Sequence, residues 1–319
     1  MTRASPLPAH LPLLDRRLDA LRSARPELAR AIALQEALIR GVLSVDRQPV
    51  VQPFPLPRQR LQEKVHDGVP LLHDEPAFVD LHFAADLFSR LLNGLVEGAD
   101  PDTADRVGPL VAAATEGRLD PNTLFTEAFV QHHDHLAEMA RGAGIDDALL
   151  LALAALAVGP LLRAYAARLD PLLSQLQDPA PDWAEWSRGY CPLCGAWPLL
   201  GELRGVELRL YLRCAGCGYG WRGRRMACPY CGTDDFHQLG SLRFEGEQRF
   251  TVQVCQRCHG YLKVGNAFDP PPAELLPLDD LVSAHLDVAA IDRGYARPSG
   301  TGFRLELAVP ESAWAEELE

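Results

Sequence analysis

The sequence has no cysteine before Cys191 and none after Cys258; all eight lie in that one stretch. It also lacks a phosphate-binding glycine loop, and no paired-carboxylate pattern stands out, which removes the usual grounds for nucleotide chemistry or carboxylate acid–base catalysis. The opening residues, Met1 to Leu11, carry neither the basic segment nor the continuous apolar run of a secretory signal. The expected location is therefore the cytoplasm, where cysteines stay reduced and clustered pairs bind metal rather than form disulfides. The apolar run Ala148 to Leu162 reads as too short to span a bilayer. Positive charge is also scarce: the 319 residues carry a net −12. Within residues 186 to 268, however, eleven Arg and Lys face six Asp and Glu, a balance of +5 that leaves −17 elsewhere. An acidic body repels nucleic acid, which disfavours DNA or RNA as a partner.

The cysteines fall as four Cys-x-x-Cys pairs, separated by nineteen, ten and twenty-three residues. Two intervening residues let both thiolates of a tight turn face one ion, and two such turns complete a tetrahedral four-sulfur site. The long gaps carry hairpin signals and the short one does not. Val206, Leu208, Leu210 and Leu212 alternate with Glu207, Arg209 and Tyr211 after a turn at Arg204-Gly205. Phe250, Val252 and Val254 alternate after a turn at Glu245-Gly246-Glu247. This pairs Cys191, Cys194, Cys214 and Cys217 in a first site, and Cys228, Cys231, Cys255 and Cys258 in a second. The layout is that of a zinc-ribbon-like or rubredoxin-like module.

Glycine follows the second cysteine at Gly195, Gly218 and Gly232, where a left-handed turn lets backbone amides approach the sulfurs. The fourth pair places His259 there instead, as an outer-shell donor or an alternative ligand. Tetrahedral sulfur accepts zinc or iron, and spacing alone favours zinc. Four thiolates leave no open position for substrate, which disfavours metal-assisted hydrolysis, and no catalytic residue is assigned. Arg204, Arg209, Arg213, Arg222, Arg224 and Arg225 offer either a basic face or a scattered solvated set.

The expected fold class is α+β: an N-terminal helical bundle, two four-cysteine modules and a C-terminal helix. The boundaries read as 1–180, 186–226, 227–268 and 269–319, with Asp178-Pro179-Ala180-Pro181 as the break. Two helices are expected in the first forty-five residues, with Pro26 in the first turn of the second. A proline-rich connection follows from Ser44 to Pro76, then helices at 77–97, 103–116 and 121–141, capped in part by Asp102 and Asp120. Within the last of these, His132 and His135 of the cluster 131–135 are three apart; with no further ligand set evident, a solvated face is the favoured reading. Gly159-Pro160 is expected to kink or end a central buried helix. A closing helix from about Asp279 to Arg293 stops at Gly294, before an acidic tail from Phe303 to Glu319.

At the residue level the chain resembles the FdhE family of accessory proteins for formate dehydrogenase formation. The resemblance lies in Trp186 through Gly195, Leu212 through Cys217, Cys228 through Gly232 and Val254 through Lys263, with weaker likeness at Leu11 to Ser44 and Asp279 to Tyr295. Arg25-Pro26 stands where the family carries histidine-proline. The resemblance implies a non-enzymatic cytoplasmic maturation factor that binds the catalytic subunit of respiratory formate dehydrogenase. It also implies two iron ions at the eight cysteines, in place of zinc. A rubredoxin-like electron-transfer protein and a zinc-ribbon nucleic-acid module are the alternatives.

Overall fold

Leucine spacing lays down the first helices of the computed structural model, which describes residues 10–45, 47–97, 101–176 and 186–308. Helix α1 (Leu11–Ala24) buries Leu14, Leu18 and Leu21, and α2 (Ala29–Leu43) buries Ile32, Ile39, Val42 and Leu43. These three- and four-residue steps make one apolar stripe per helix. Pro26 opens a short 3-10 turn between them. Leu275 and Leu278, from the far end of the chain, close the stripe.

The proline-rich connection contains a helix that the sequence reading missed. Helix α3 (Arg58–Asp67) starts directly after Pro57 and stops at Gly68, and it buries only Leu61, Lys64 and Val65. So few apolar positions in ten residues left no visible period. Helices α4 (Leu81–Glu97) and α5 (Pro101–Thr115) follow. The expected single helix over 121–141 is two, α6 (Pro121–Phe129) and α7 (His133–Ala143). The break is at Gln131, whose φ of 60° is left-handed and ends the helical path. Asp120 caps α6 by accepting from the Thr123 N–H, whereas Asp102 lies inside the first turn of α5.

Helix α8 (Asp147–Leu176) is the axis on which α4, α6 and α7 pack. It continues through Pro160 and Pro171, so Pro160 does not end it. Each proline removes one helical hydrogen bond, but burial of Leu153, Ala154, Ala157, Val158, Leu161 and Leu162 holds the segment helical. At thirty residues the helix is long and apolar enough to cross a membrane, which corrects the length argument made from Ala148 to Leu162 alone. Over half of its apolar window is buried within the protein, as expected for a core helix.

The strands form one six-stranded sheet of order β3-β2-β1-β6-β5-β4. Strands β1 (Pro198–Arg204), β2 (Arg209–Cys214) and β3 (Gly220–Arg222) make the first antiparallel unit. Strands β4 (Leu239–Leu242), β5 (Phe250–Cys255) and β6 (Tyr261–Asn266) make the second. Parallel pairing of β1 with β6, at Gly201 opposite Val264, joins them. The expected strand from Val206 begins only at Arg209, because the turn runs on from Gly205 to Leu208, both left-handed, and leaves Val206 exposed.

The closing helix is also two, α9 (Leu276–Val282) and α10 (Ala284–Ile291). Ser283 Oγ donates to the carbonyls of Asp279 and Asp280, and Lys263 Nζ donates to that of Asp280. Side chains thus satisfy carbonyls that a continuous helix would pair. Gly294, at φ 82°, ends the segment. The described start of the tail is tied down, with Leu307 bridged to Glu75 and the Phe303 N–H donating to the Gly195 carbonyl. The break at Asp178 to Pro181 and the acidic end 309–319 lie outside the described residues, as do residues 1–9. Helices first, then a sheet carrying two four-cysteine clusters, make the class α+β.

Candidate metal centres

Each cluster is built from two turns at the mouths of a hairpin. Cys191 and Cys194 precede β1, Cys214 ends β2 and Cys217 follows it; Cys228 and Cys231 precede β4, Cys255 ends β5 and Cys258 lies between β5 and β6. The fold brings together the two sets grouped from the sequence. Sulfur–sulfur distances are 3.7 Å for Cys191–Cys217 and 3.4 Å for Cys194–Cys214 in the first, and 3.6 Å for Cys228–Cys258 and 3.7 Å for Cys231–Cys255 in the second. These are far beyond the roughly 2.05 Å of a disulfide, and all eight thiols are free. A tetrahedral ion with bonds of about 2.3 Å has sulfur–sulfur edges of about 3.8 Å. Either cluster can therefore hold one ion with little movement.

Backbone donors complete the fit. The Leu193 N–H points at Cys191 Sγ, and the Cys217 N–H at Cys214 Sγ. Gly195, Gly218 and Gly232 have φ between 70° and 76°, and His259 holds the same left-handed place at 54°. His259 is thus a fourth turn residue, and its ring lies 6.1 Å from that of Tyr295. It is not among the four donors of the second cluster.

The two clusters differ in surroundings. All four sulfur residues of the first are buried, whereas in the second Cys231 is half-buried and Cys258 exposed. The first turn is gripped from several sides: Leu71 and Leu72 donate backbone N–H groups to the carbonyls of Pro192 and Leu193, and Gln131 Nε2 donates to that of Cys194. Tyr219, beside Cys217, donates to Asp170 of α8 at 2.8 Å. Burial, reinforced by Asp170, holds the Tyr219 hydroxyl neutral with its pKa far above the usual phenol value. Arg163 of α8 pairs with Glu274 at 3.0 Å beside the same knuckle. Burial pulls its pKa down, and the charges of Glu274 and Cys217 act against that pull. Desolvation raises the Cys191 and Cys217 thiols well above their ordinary value, and pushes Cys258 up to about 11. Buried thiols of this kind ionise when a cation compensates the charge.

The clusters lean on each other. A Cβ on Gly189 would lie 1.7 Å from the Pro229 carbonyl oxygen, so only glycine allows this approach between the two modules. Trp197 and Tyr230 meet edge to face at 5.4 Å. Four of the six arginines singled out in the sequence are paired with carboxylates. Arg204 and Arg213 share Glu202, Arg209 pairs with Glu207, and Arg224 pairs with Asp234.

The sequence reading missed Gln131, Arg163 and Asp170, polar residues whose partners lie far away in the chain and leave no local signal. It also missed Glu127, whose Oε2 lies 2.7 Å from His132 Nδ1 and 3.3 Å from His135 Nδ1. The only available clue was the spacing Glu-x4-His-x2-His.

A homologue of protein FdhE from Stutzerimonas stutzeri is 35% identical over 114 residues, covering 34% of this chain and 35% of the relative. Protein FdhE of Escherichia coli is 32% identical over 125 residues, covering 36% and 38%. The crystal structure of the FdhE protein from Pseudomonas aeruginosa superposes with a TM-score of 0.57 over 91% of this chain and 94% of that one, at 23% identity. Over about a third of its length the chain is thus similar in sequence to FdhE proteins, and its fold is shared with a solved FdhE structure. The matched stretches span only a little over a third of these two curated relatives, whereas the shared fold extends through nearly the whole chain. No family model matches the sequence.

Proposed function

We propose that the chain is an FdhE-family protein, a non-catalytic cytoplasmic factor in the formation of active formate dehydrogenase, and that it binds the catalytic subunit of that enzyme. The observation that carries the reading is a pair of closed four-sulfur clusters set against a helical body. Cys191, Cys194, Cys214 and Cys217 hold one ion, and Cys228, Cys231, Cys255 and Cys258 the other. Four thiolates complete a tetrahedral shell and leave no position for substrate, which supports a binding role over catalysis. Iron is the metal favoured by the family resemblance, with zinc the alternative; iron would supply one-electron chemistry and zinc none.

The first centre acts as a structural joint, since α8, Gln131 and the Leu71–Leu72 segment all grip it. The second, with Cys258 exposed, is the one a redox partner can reach. Packing of α8 within the bundle supports a chain that does not insert into a membrane, and the net charge of −12 argues against nucleic acid. In this reading the helical body (1–180), the modules 186–226 and 227–268, and the C-terminal part 269–319 act as one docking unit.

Deletion of the gene tests the proposal. Formate dehydrogenase activity is expected to vanish while its transcript persists, and the wild-type gene should restore it. Unchanged activity in the deletion strain overturns the reading. Metal content and a visible spectrum of fresh protein decide iron or zinc, because iron–thiolate charge transfer is coloured and zinc–thiolate is not.

A further inference from the structure

We propose that Glu127, His132 and His135 form a third metal site, open to solvent and suited to a first-row divalent cation such as zinc. Glu127 Oε2 lies 2.7 Å from His132 Nδ1 and 3.3 Å from His135 Nδ1, and one donor atom from each residue lies within 4.8 Å of the others. Around an ion with bonds of about 2.0 to 2.2 Å, neighbouring donors stand roughly 3.0 to 3.5 Å apart. The three atoms are already close to that spacing, and a small outward turn of the imidazoles admits the ion.

The backbone is bent in a way that serves this convergence. After α6, Gln131 takes a left-handed φ of 60°, uncommon for a residue other than glycine. The His132 N–H then donates to the Glu127 carbonyl at 2.9 Å, and α7 restarts one residue later. That turn sets both imidazoles over the Glu127 carboxylate. It is braced from outside: Gln131 Nε2 donates to the Cys194 carbonyl, and Thr301 Oγ1 donates to Gln131 Oε1. The site thus stands on the same residue that holds the first four-cysteine centre.

Donor chemistry sets the class of ion. Two imidazoles and one carboxylate suit zinc and its first-row neighbours better than magnesium or calcium, which take mostly oxygen. All three side chains are partly exposed, so an ion can reach them. Three protein donors leave at least one position for water or for a donor from another molecule. In this the site differs from the closed four-sulfur clusters, and its ion can exchange.

The test uses the full chain, with its cysteine-bound metal measured first. Equilibrium dialysis against micromolar zinc should load one further zinc per chain. H135N and E127Q should each weaken that uptake by about tenfold or more, since even outer-sphere partners of a metal are worth about 10- to 100-fold in affinity. The cysteine-bound metal should not change. H135N lies within α7 and leaves the Gln131 turn intact, so it carries the test if H132N fails to fold. The proposal is overturned if wild type takes up no further zinc, or if H135N and E127Q bind it as tightly as wild type.

Discussion

Gln131 Nε2 lies 2.5 Å from the carbonyl oxygen of Cys194, so one side chain from the turn between α6 and α7 holds the first metal-binding knuckle. Gln131 is buried, and Ala in its place leaves the Cys194 carbonyl without this donor. An unsatisfied buried acceptor costs about 1 to 3 kcal/mol. Q131A should lower the unfolding free energy by that amount in a denaturant titration. Q131G loses the same bond but relaxes the left-handed backbone, so it should lose less. Equal stability of Q131A and wild type would show that the contact is dispensable.

Unequal burial of the two clusters predicts unequal metal release. The four sulfur residues of the first are buried, whereas Cys258 is exposed and Cys231 half-buried. A chelator can reach the second cluster from solvent, but must wait for local opening to reach the first. Release should be biphasic, with one ion leaving fast and one slowly. C258S should remove the fast phase and leave the slow one. C191S should instead lower the stability of the whole helical body, because metal binding and folding are coupled there. A single phase for both ions in wild type would contradict this.

How far the sequence carried depended on whether a feature was local. The eight cysteines, their grouping and the α+β order were legible, because Cys-x-x-Cys turns and hairpins are short-range devices. The left-handed turn residue was legible at Gly195, Gly218 and Gly232, and His259 shows that the backbone position is kept even where glycine is not. The parallel pairing of Gly201 with Val264 was not legible, since the two residues lie far apart in the chain and neither strand records its neighbour. The same holds for Glu127, whose meaning depends on the break at Gln131 that the helical pattern of 121–141 concealed. Helix α8 erred in the other direction: prolines that normally stop a helix are overridden by burial on several sides.

Buried Lys263 and half-buried Asp287 form an ion pair at 2.5 Å, which Asp280 and Arg297 extend into a network. Burial alone would raise the Asp287 pKa, but the hydrogen bond from Lys263 and the charge of Arg297 hold it below the ordinary carboxylate value. A depressed folded-state pKa means that the unfolded chain binds the proton more readily. The stabilisation is therefore complete above the unfolded value near about 3.9, and is lost as pH falls through the folded value. Denaturation followed between neutral and acid pH should show wild type losing stability in that window, with D287N flatter. Breaking a buried pair costs about 3 to 5 kcal/mol, and partial exposure of Asp287 places D287N at or below the lower end. A D287N curve parallel to wild type through the acid range would rule out this linkage.

Two glycines with nearly the same backbone separate conformational strain from steric conflict. Gly195 and Gly232 each follow the second cysteine of a knuckle, with φ of 76° and 72°. Around Gly232 no atom lies within 4 Å of an added Cβ, so G232A costs only the left-handed penalty, about 1 to 2 kcal/mol. At Gly195 the added Cβ would lie 2.3 Å from the Phe303 carbonyl oxygen, on the segment that closes over the first cluster. G195A must displace that segment and break the bond from the Phe303 N–H to the Gly195 carbonyl as well. It should therefore destabilise clearly more than G232A and reduce metal retention at the first cluster, while G232A keeps both ions. Thermal melts with metal analysis of the two variants give the comparison. Equal melting points would mean that residues 301–308 are not held against the first knuckle in solution.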